Sequence, residues 1–382
     1  MENKYIFCTK IPNKYKKIIK KNPHSLEYFV NSKDIYEATN HKCNDNDFLY
    51  DKNKDGDKDN IQNYKDNLNK YKEEHNFLEN YKEKELKYKY DDIDDKIDYE
   101  STIMKPISIV HWGQLKMFLI TLIFLIKVVK TTDKIVNIVY AGSARGDNIL
   151  LLANMFPNTR WYLIDPHPFH KDLFKHKQVM EIINDFFTDD LAKKYHDKFN
   201  NSKDKLLFIS DIRLETNDES IIKDQEMNGN WHKILNPDYS WLKFRCPYEI
   251  KDYEYYDGKI YIQPYAPIKS TETRMLLTKD SKRILINSPE YQAKLFYFNR
   301  IKRPRLYPSI INLDKTDLFD HCFDCTYFSY LIKNYIKHFS KFNYFKSKDI
   351  LYIMNEIIKF LETFSNNKIR KINNQIFKEL KI

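Results

Sequence analysis

The sequence predicts an α/β protein in which a mostly parallel sheet carries helices on both faces. Three observations predict it. Short apolar runs rich in Ile, Val, Leu and Phe alternate with stretches of helical period, as in parallel strands joined by crossover helices. One run, Ile135 to Tyr140, leads into Ala141-Gly142-Ser143-Ala144-Arg145-Gly146, so two of only six glycines stand in one turn. Several runs also end in polar residues, and open α/β sheets bind ligands outside the carboxyl ends of their strands.

Each element has its own warrant. Trp112 to Val129 reads as a helix whose apolar stretch, Met117 to Ile126, is broken by Lys127, well short of the roughly 20 residues a membrane span needs. It is expected to be buried, with no membrane partner. Ile135 to Tyr140 is the first strand and Asp147 to Phe156 the helix after the glycine turn. Trp161 to Ile164, Leu206 to Ser210, Lys259 to Gln263 and Thr273 to Thr278 are further strands, and Tyr327 to Phe339 and Ile350 to Phe364 closing helices.

Composition bounds the rest. Residues 44 to 92 are Asp, Asn, Lys, Glu and Tyr with few aliphatic residues, too little apolar surface to offset chain entropy. Residues 1–92 are therefore expected to be a charged N-terminal extension, residues 93–366 the folded domain and residues 367–382 a basic tail. A net charge of +10 points to a polyanionic partner. The five cysteines are scattered, with no secretory signal ahead of them, which reads as reduced thiols. Cys322-Phe323-Asp324-Cys325 lacks a second pair or nearby histidines, so no metal is expected.

The glycine turn sets the chemistry. Gly142 is placed to let backbone approach a ligand, Gly146 to open the helix, and Asp165, about 20 residues on, to accept hydrogen bonds from ribose hydroxyls. The turn has neither the third glycine of a dinucleotide fingerprint nor a Walker lysine, which favours S-adenosylmethionine over NAD or ATP. Beyond it, four charged residues stand out by position: Lys116 on the first helix, Asp211 after a strand, Lys243 in Trp241-Leu242-Lys243-Phe244-Arg245-Cys246-Pro247, and Glu272 in Ser270-Thr271-Glu272-Thr273-Arg274.

With Trp112-Gly113-Gln114-Leu115-Lys116, Tyr140 through Gly146, and Phe208 through Arg213, these segments resemble the poxvirus cap-specific mRNA 2'-O-methyltransferases. Proteins of that family double as the small regulatory subunit of poly(A) polymerase. The resemblance covers roughly residues 95 to 366 and implies a Rossmann-like S-adenosylmethionine-dependent methyltransferase sheet. It implies that Lys116, Asp211, Lys243 and Glu272 form the catalytic tetrad. Methyl transfer from a sulfonium to a ribose hydroxyl needs in-line approach and removal of a weakly acidic proton, for which Lys243 is the expected base. Crowding by Lys116 and Arg245 favours its neutral amine, and Asp211 and Glu272 oppose that while orienting it.

The resemblance further implies cofactor contacts from Gln114, Tyr140, Gly142, Gly146, Asp165, His167 and Asp211, with Arg145 where the family has Pro and His167 where it has Arg. An N7-methylguanine cap is expected between Tyr99 and Tyr248. The family's pocket acids are changed to Ile250 and Gln292, with Glu249 or Glu290 as nearby substitutes. Phosphates would follow Lys243, Arg245, Lys269 and Arg274. The expected partners are capped mRNA and a poly(A) polymerase catalytic subunit, in the virion and host cytoplasm of a large DNA virus. The competing readings are a non-catalytic RNA-binding processivity subunit and, disfavoured by the glycine pattern, an NAD-dependent oxidoreductase.

Overall fold

A computed structural model describes residues 5–8, 35–38, 86, 88–99, 113–215, 217–266, 270–303, 319, 323–342 and 344–364. The expected basic tail, most of the extension, Trp112, Lys269 and Cys322 lie outside the described residues. Tyr5–Cys8 and Ile35–Ala38 pair antiparallel.

The core is a seven-stranded sheet built from β1 (Val136–Ala141), β2 (Thr159–Ile164), β3 (Val179–Ile183), β4 (Lys205–Ser210), β5 (Tyr239–Phe244), β7 (Lys259–Ile262) and β8 (Thr273–Thr278). Its order is β3-β2-β1-β4-β5-β8-β7. The first five strands are parallel, and β8 runs antiparallel to both β5 and β7. A separate antiparallel ribbon joins β6 (Asp252–Tyr256) to β9 (Arg283–Asn287). The expected mostly parallel sheet is thus present, with an antiparallel pair at one edge. Chain order reverses at β1, between β2 and β4, which opens a crevice at the carboxyl ends of those strands.

Seven helices surround these strands among the described residues: α1 (Gly113–Val128), α2 (Asp147–Met155), α3 (Asp189–Phe199), α4 (Asp218–Leu235), α5 (Ser288–Tyr297), α6 (Phe323–Phe339) and α7 (Ile350–Phe364). Their starts follow capping chemistry. Thr188, Asn217 and Asn287 accept from Leu191 N, Ser220 N and Glu290 N at 3.3, 2.8 and 2.9 Å. Helix α6 begins at Phe323, four residues before the apolar pattern suggested, and so takes in the buried Cys325.

Neighbouring residues on β5 prove that both sheet faces are covered, because successive side chains point to opposite sides. Trp241 stacks on Phe124 of α1, ring centroids 5.4 Å apart, whereas Ser240 Oγ lies 2.7 Å from His232 Nδ1 of α4. The same alternation puts Lys243 on the α1 side. Strand β5 escaped the sequence reading since Ser240 and Lys243 interrupt its apolar run; one has a buried partner and the other enters the site. Strand β3 escaped it because it is a half-exposed sheet edge.

The folded body starts before the expected Ile93. Leu86 and Tyr88 are buried, Ile262 N donates to Tyr88 O at 3.0 Å, and Tyr88 stacks on Tyr327 at 5.0 Å. Tyrosines inside a charged run carry that anchoring. Among the described residues no helix is long and apolar enough to cross a membrane.

Burial pushes the His232 imidazole down to about 4 from its ordinary 6.5. The unfolded chain therefore binds a proton that the folded one does not, and stability falls as pH drops from about 6.5 to about 4. The expected loss is roughly 3 kcal/mol at most, read from urea midpoints across that window; His232→Gln should flatten the slope.

Candidate active site

The glycine turn sits where β1, β2 and β4 end side by side. Gly142 N donates to Ile164 O at 2.9 Å, and Asp211 N donates to Ala141 O at 3.1 Å, so the three strand ends are laced together. Gly142 has φ +77°, and a Cβ there would lie 3.0 Å from Ile212 Cγ1 and 3.2 Å from the Asp211 carbonyl carbon. Its missing side chain is thus required first by the Asp211–Ile212 segment, and not only by a ligand as expected. Gly146, also at φ +77°, caps α2 and would drive a Cβ to 2.6 Å from Leu173 Cδ1.

Asp165, at the end of β2, is 7% exposed and ties the turn together. Its Oδ2 accepts from Ala144 N at 3.0 Å, and its Oδ1 accepts from His167 N at 2.9 Å and lies 2.9 Å from the exposed His167 ring. In the first turn of α2, Asp147 Oδ1 and Asn148 Nδ2 are buried without a partner. Arg145 lies beside Asp147 Oδ2 at 3.4 Å. Gln114 is exposed on the first turn of α1. Tyr140 departs from expectation: its side chain is buried and bonded to Thr121, where it holds α1 to β1.

Facing the turn, four elements bring the expected tetrad together. Lys116 comes from the first turns of α1, Asp211 follows β4, Lys243 lies near the end of β5, and Glu272 precedes β8. Because β8 is antiparallel to β5, its start meets the end of β5, and Arg274 falls directly opposite Lys243. Lys243 Nζ stands 3.4 Å from Asp211 Oδ1 and 3.6 Å from Glu272 Oε2. Lys116 Nζ is 3.9 Å from Glu272 Oε1, which also accepts from Gln263 Nε2 at 2.9 Å.

Arg274 is the member that sequence reading misplaced. Expected along an RNA groove, it is 1% exposed and pairs with Asp211 at 2.5 Å. Arg245, expected to crowd Lys243, instead pairs with Asp218, a residue not anticipated, and its guanidinium lies 4.1 Å from the Tyr248 ring centroid. The signal for Arg274 was available only through register, which places it across from Lys243.

The electrostatics follow from these contacts. Burial alone would raise the Asp211 carboxyl, but Arg274 and Lys243 outweigh it and hold the group at about 2. Glu272 is likewise lowered: burial opposes this, while Lys243, Arg274 and Lys116 prevail. Burial lowers the Lys116 ammonium against the pull of Glu272. Both acids are therefore carboxylates at neutral pH, and each is shared between two cations.

The aromatic pair is also assembled. Tyr99 and Tyr248 stack at 5.0 Å with a 26° tilt, and the Tyr99 hydroxyl donates to that of Tyr248 at 3.1 Å. Tyr248 Oη is also 3.0 Å from Thr271 Oγ1. The two rings are in direct contact, at a separation within the 4.5–7 Å range of touching aromatic pairs. Gln292 Nε2 donates to Pro247 O at 2.9 Å and so supports the turn that carries Tyr248. The Glu290 carboxylate pairs with Lys294 at 3.6 Å; Glu249 is exposed, its amide bonded to Asp218 Oδ2 at 2.8 Å, and Ile250 is 37% exposed.

A doubly wound sheet with this turn at its switch point and this charged cluster alongside defines a Rossmann-like α/β domain of the methyltransferase type. Residues 81–363, well over half of the chain, match the family model described as "Poly A polymerase regulatory subunit". The chain belongs to that family. It is 29% identical over 296 residues, 72% of this chain and 84% of the relative, to the cap-specific mRNA (nucleoside-2'-O-)-methyltransferase of Myxoma virus (strain Lausanne). It is 30% identical over 263 residues, 62% of this chain and 81% of the relative, to the protein of that name from Fowlpox virus (strain NVSL). Bluetongue virus VP4, whose solved structure is described as revealing "a multifunctional RNA-capping production-line", overlays with a TM-score of 0.38 at 13% identity, over 63% of this chain and 44% of that one.

Asp211 binds its proton far more weakly in the folded protein than the ordinary 3.8, so its stabilising contribution is full above about pH 4 and is lost as pH falls to about 2. Asp211→Asn strands Arg274 as a buried, unpaired cation and should cost about 3–5 kcal/mol at neutral pH. In urea titrations at pH 7 and pH 2.5, the gap between wild type and Asp211→Asn should narrow on acidification by roughly 2 kcal/mol.

Proposed function

We propose that this chain is a cap-specific mRNA 2'-O-methyltransferase that uses S-adenosylmethionine to methylate the ribose of the first transcribed nucleotide. The observation that carries the reading is the Lys243 amine, held between Asp211 and Glu272 beside the glycine turn. Its family membership and the names of its poxvirus relatives support the same conclusion.

The turn fits a nucleoside donor. Asp165 keeps lone pairs for ribose hydroxyls, and the orphaned Asp147 Oδ1 and Asn148 Nδ2 supply an acceptor and a donor in the same crevice. Gly142, Gly146, Asp165 and Asp211 would hold the cofactor, with Gln114 and His167 at its rim. S-adenosylmethionine, when bound, supplies a methyl group activated by an attached sulfonium. Lys243 takes the proton from the sugar hydroxyl as a neutral amine, which makes the oxygen nucleophilic. Asp211 and Glu272 orient that amine, and they stabilise the ammonium it becomes. Arg274 and Lys116 draw on the same carboxylates. Arg245 and Asp218 brace the Tyr248 turn, where the cap base would insert by parting Tyr248 from Tyr99.

The family description supports a second role, docking on a poly(A) polymerase catalytic subunit. The poxvirus relatives support a viral protein acting in host cytoplasm, with packaging in the virion as part of the same proposal.

Lys243→Met should lower methyl transfer to short capped RNA by about 10²–10⁴-fold, measured with radiolabelled donor and nucleoside mapping, while S-adenosylhomocysteine still raises the melting temperature. Turnover at the wild-type rate, or label mapped to a base, would contradict the assignment. Tyr248→Ala should weaken cap-analogue binding by about 1–3 kcal/mol, and with Gln292 and Ile250 in place of acids, wild type should distinguish methylated from unmethylated guanosine caps only modestly in the same titration.

A further inference from the structure

Helix α1 carries Lys116 at one end, and at the other it forms the wall of a second cavity. Eleven residues at 1.5 Å each put Lys127 about 17 Å along the helix from Lys116, on the amino-end side of the parallel strands. The cavity holds about 330 Å³ between α1, α6 and the segment around Tyr88. Its polar lining includes Tyr88, Lys127, Lys130, Tyr330, Asn334 and His338. Ile123 and Phe339 add an apolar floor.

Charge and aromatic surface converge there. Tyr88 and Tyr330 have ring centroids 5.9 Å apart at a 48° tilt; Tyr88 is buried and Tyr330 only partly so, which leaves Tyr330 as the ring that faces the cavity's opening. Lys127 Nζ lies 5.1 Å from the Tyr88 ring centroid. Lys89 and Lys259 add like charge around Lys127. The neighbouring carboxylates are already engaged: Asp133 Oδ2 takes Lys205 Nζ at 2.6 Å and Lys130 N at 2.8 Å, and Asp92 Oδ2 takes Lys89 N at 3.1 Å. Lys127 and Lys130 are both exposed, and among the described residues neither forms an ion pair. Like charges gathered beside aromatic faces, with the local acids occupied, favour a ligand that brings both a phosphate and a planar ring.

We propose that this cavity is a second nucleotide-binding site, filled by one unit of single-stranded RNA whose base packs on Tyr330 beside the buried Tyr88 and whose phosphate meets Lys127, Lys130 and His338. A 330 Å³ volume accommodates one base and its phosphate, within the lower range of small-ligand pockets. The site stands apart from the methyl-transfer residues, so an RNA reaching both would cross the protein along α1. It does not depend on the cap reading.

The test uses the full chain, a fluorescent uncapped oligonucleotide of about 20 nucleotides, and Lys127→Gln/Lys130→Gln together. Losing two phosphate contacts should weaken binding about tenfold or more at low salt and reduce the slope of log affinity against log salt by about 1.4 for a single strand. Methylation of a capped RNA only a few nucleotides long should be unchanged, which separates this site from the active site. Tyr330→Leu should weaken binding with the salt slope retained, because it removes stacking and leaves the charges. Unaltered affinity and slope in the double variant would overturn the proposal. So would selective loss of poly(A) polymerase capture with RNA binding intact, which reassigns the patch to protein docking. Equal affinity for a free mononucleotide and the oligonucleotide would replace RNA with a small-molecule ligand and overturn the proposal as well.

Discussion

The arrangement depends on one buried contact, the pairing of Arg274 with Asp211. A guanidinium that is 1% exposed has no tolerable state without a counter-charge, since an isolated buried ion costs several kcal/mol. Asp211 supplies that charge from the end of β4, across β5 from Arg274. The pair therefore ties the antiparallel edge of the sheet to its parallel half. Lys243 lies on β5 between them, and its position relative to Asp211 and Glu272 follows from a contact in which it takes no part.

The same contact decides how the two carboxylates are shared within the cluster. Here Asp211 already serves Arg274, and Glu272 serves Lys116 and the Gln263 amide. The acids hold direction more than charge. Both are held below their ordinary range, Asp211 at about 2, so both are carboxylates at neutral pH.

Much of this was legible in the sequence because the periodicities were strong and the chain is sparing with glycine. The glycine turn and Asp165 could be named because they follow apolar runs, and strand ends on an open sheet converge by topology, whereas the four charged residues were joined into one site by the family resemblance. What could not be read was pairing. Arg274 was taken for an RNA contact because a sequence does not show that β8 lies antiparallel to β5 with Arg274 opposite Lys243. Tyr140 was named a cofactor contact by the family resemblance, and the burial of its side chain against Thr121 was not legible because alternation on a strand does not say which face holds the helix. Strand β5 was missed because its polar residues contradict a buried pattern until their partners are known. Leu86 and Tyr88 were assigned to the charged extension because composition averages over the few residues that anchor it.

The contact between Tyr99 and Tyr248 adds a constraint that neither residue type nor spacing could convey. A base entering between them must break their hydroxyl hydrogen bond and separate two stacked rings, a cost of about 1–3 kcal/mol before any gain. A cationic base can repay that from two aromatic faces. A neutral guanine gains less from the same faces, while the cost of parting the rings is common to both bases and cancels from any preference, which would then rest on the cation alone.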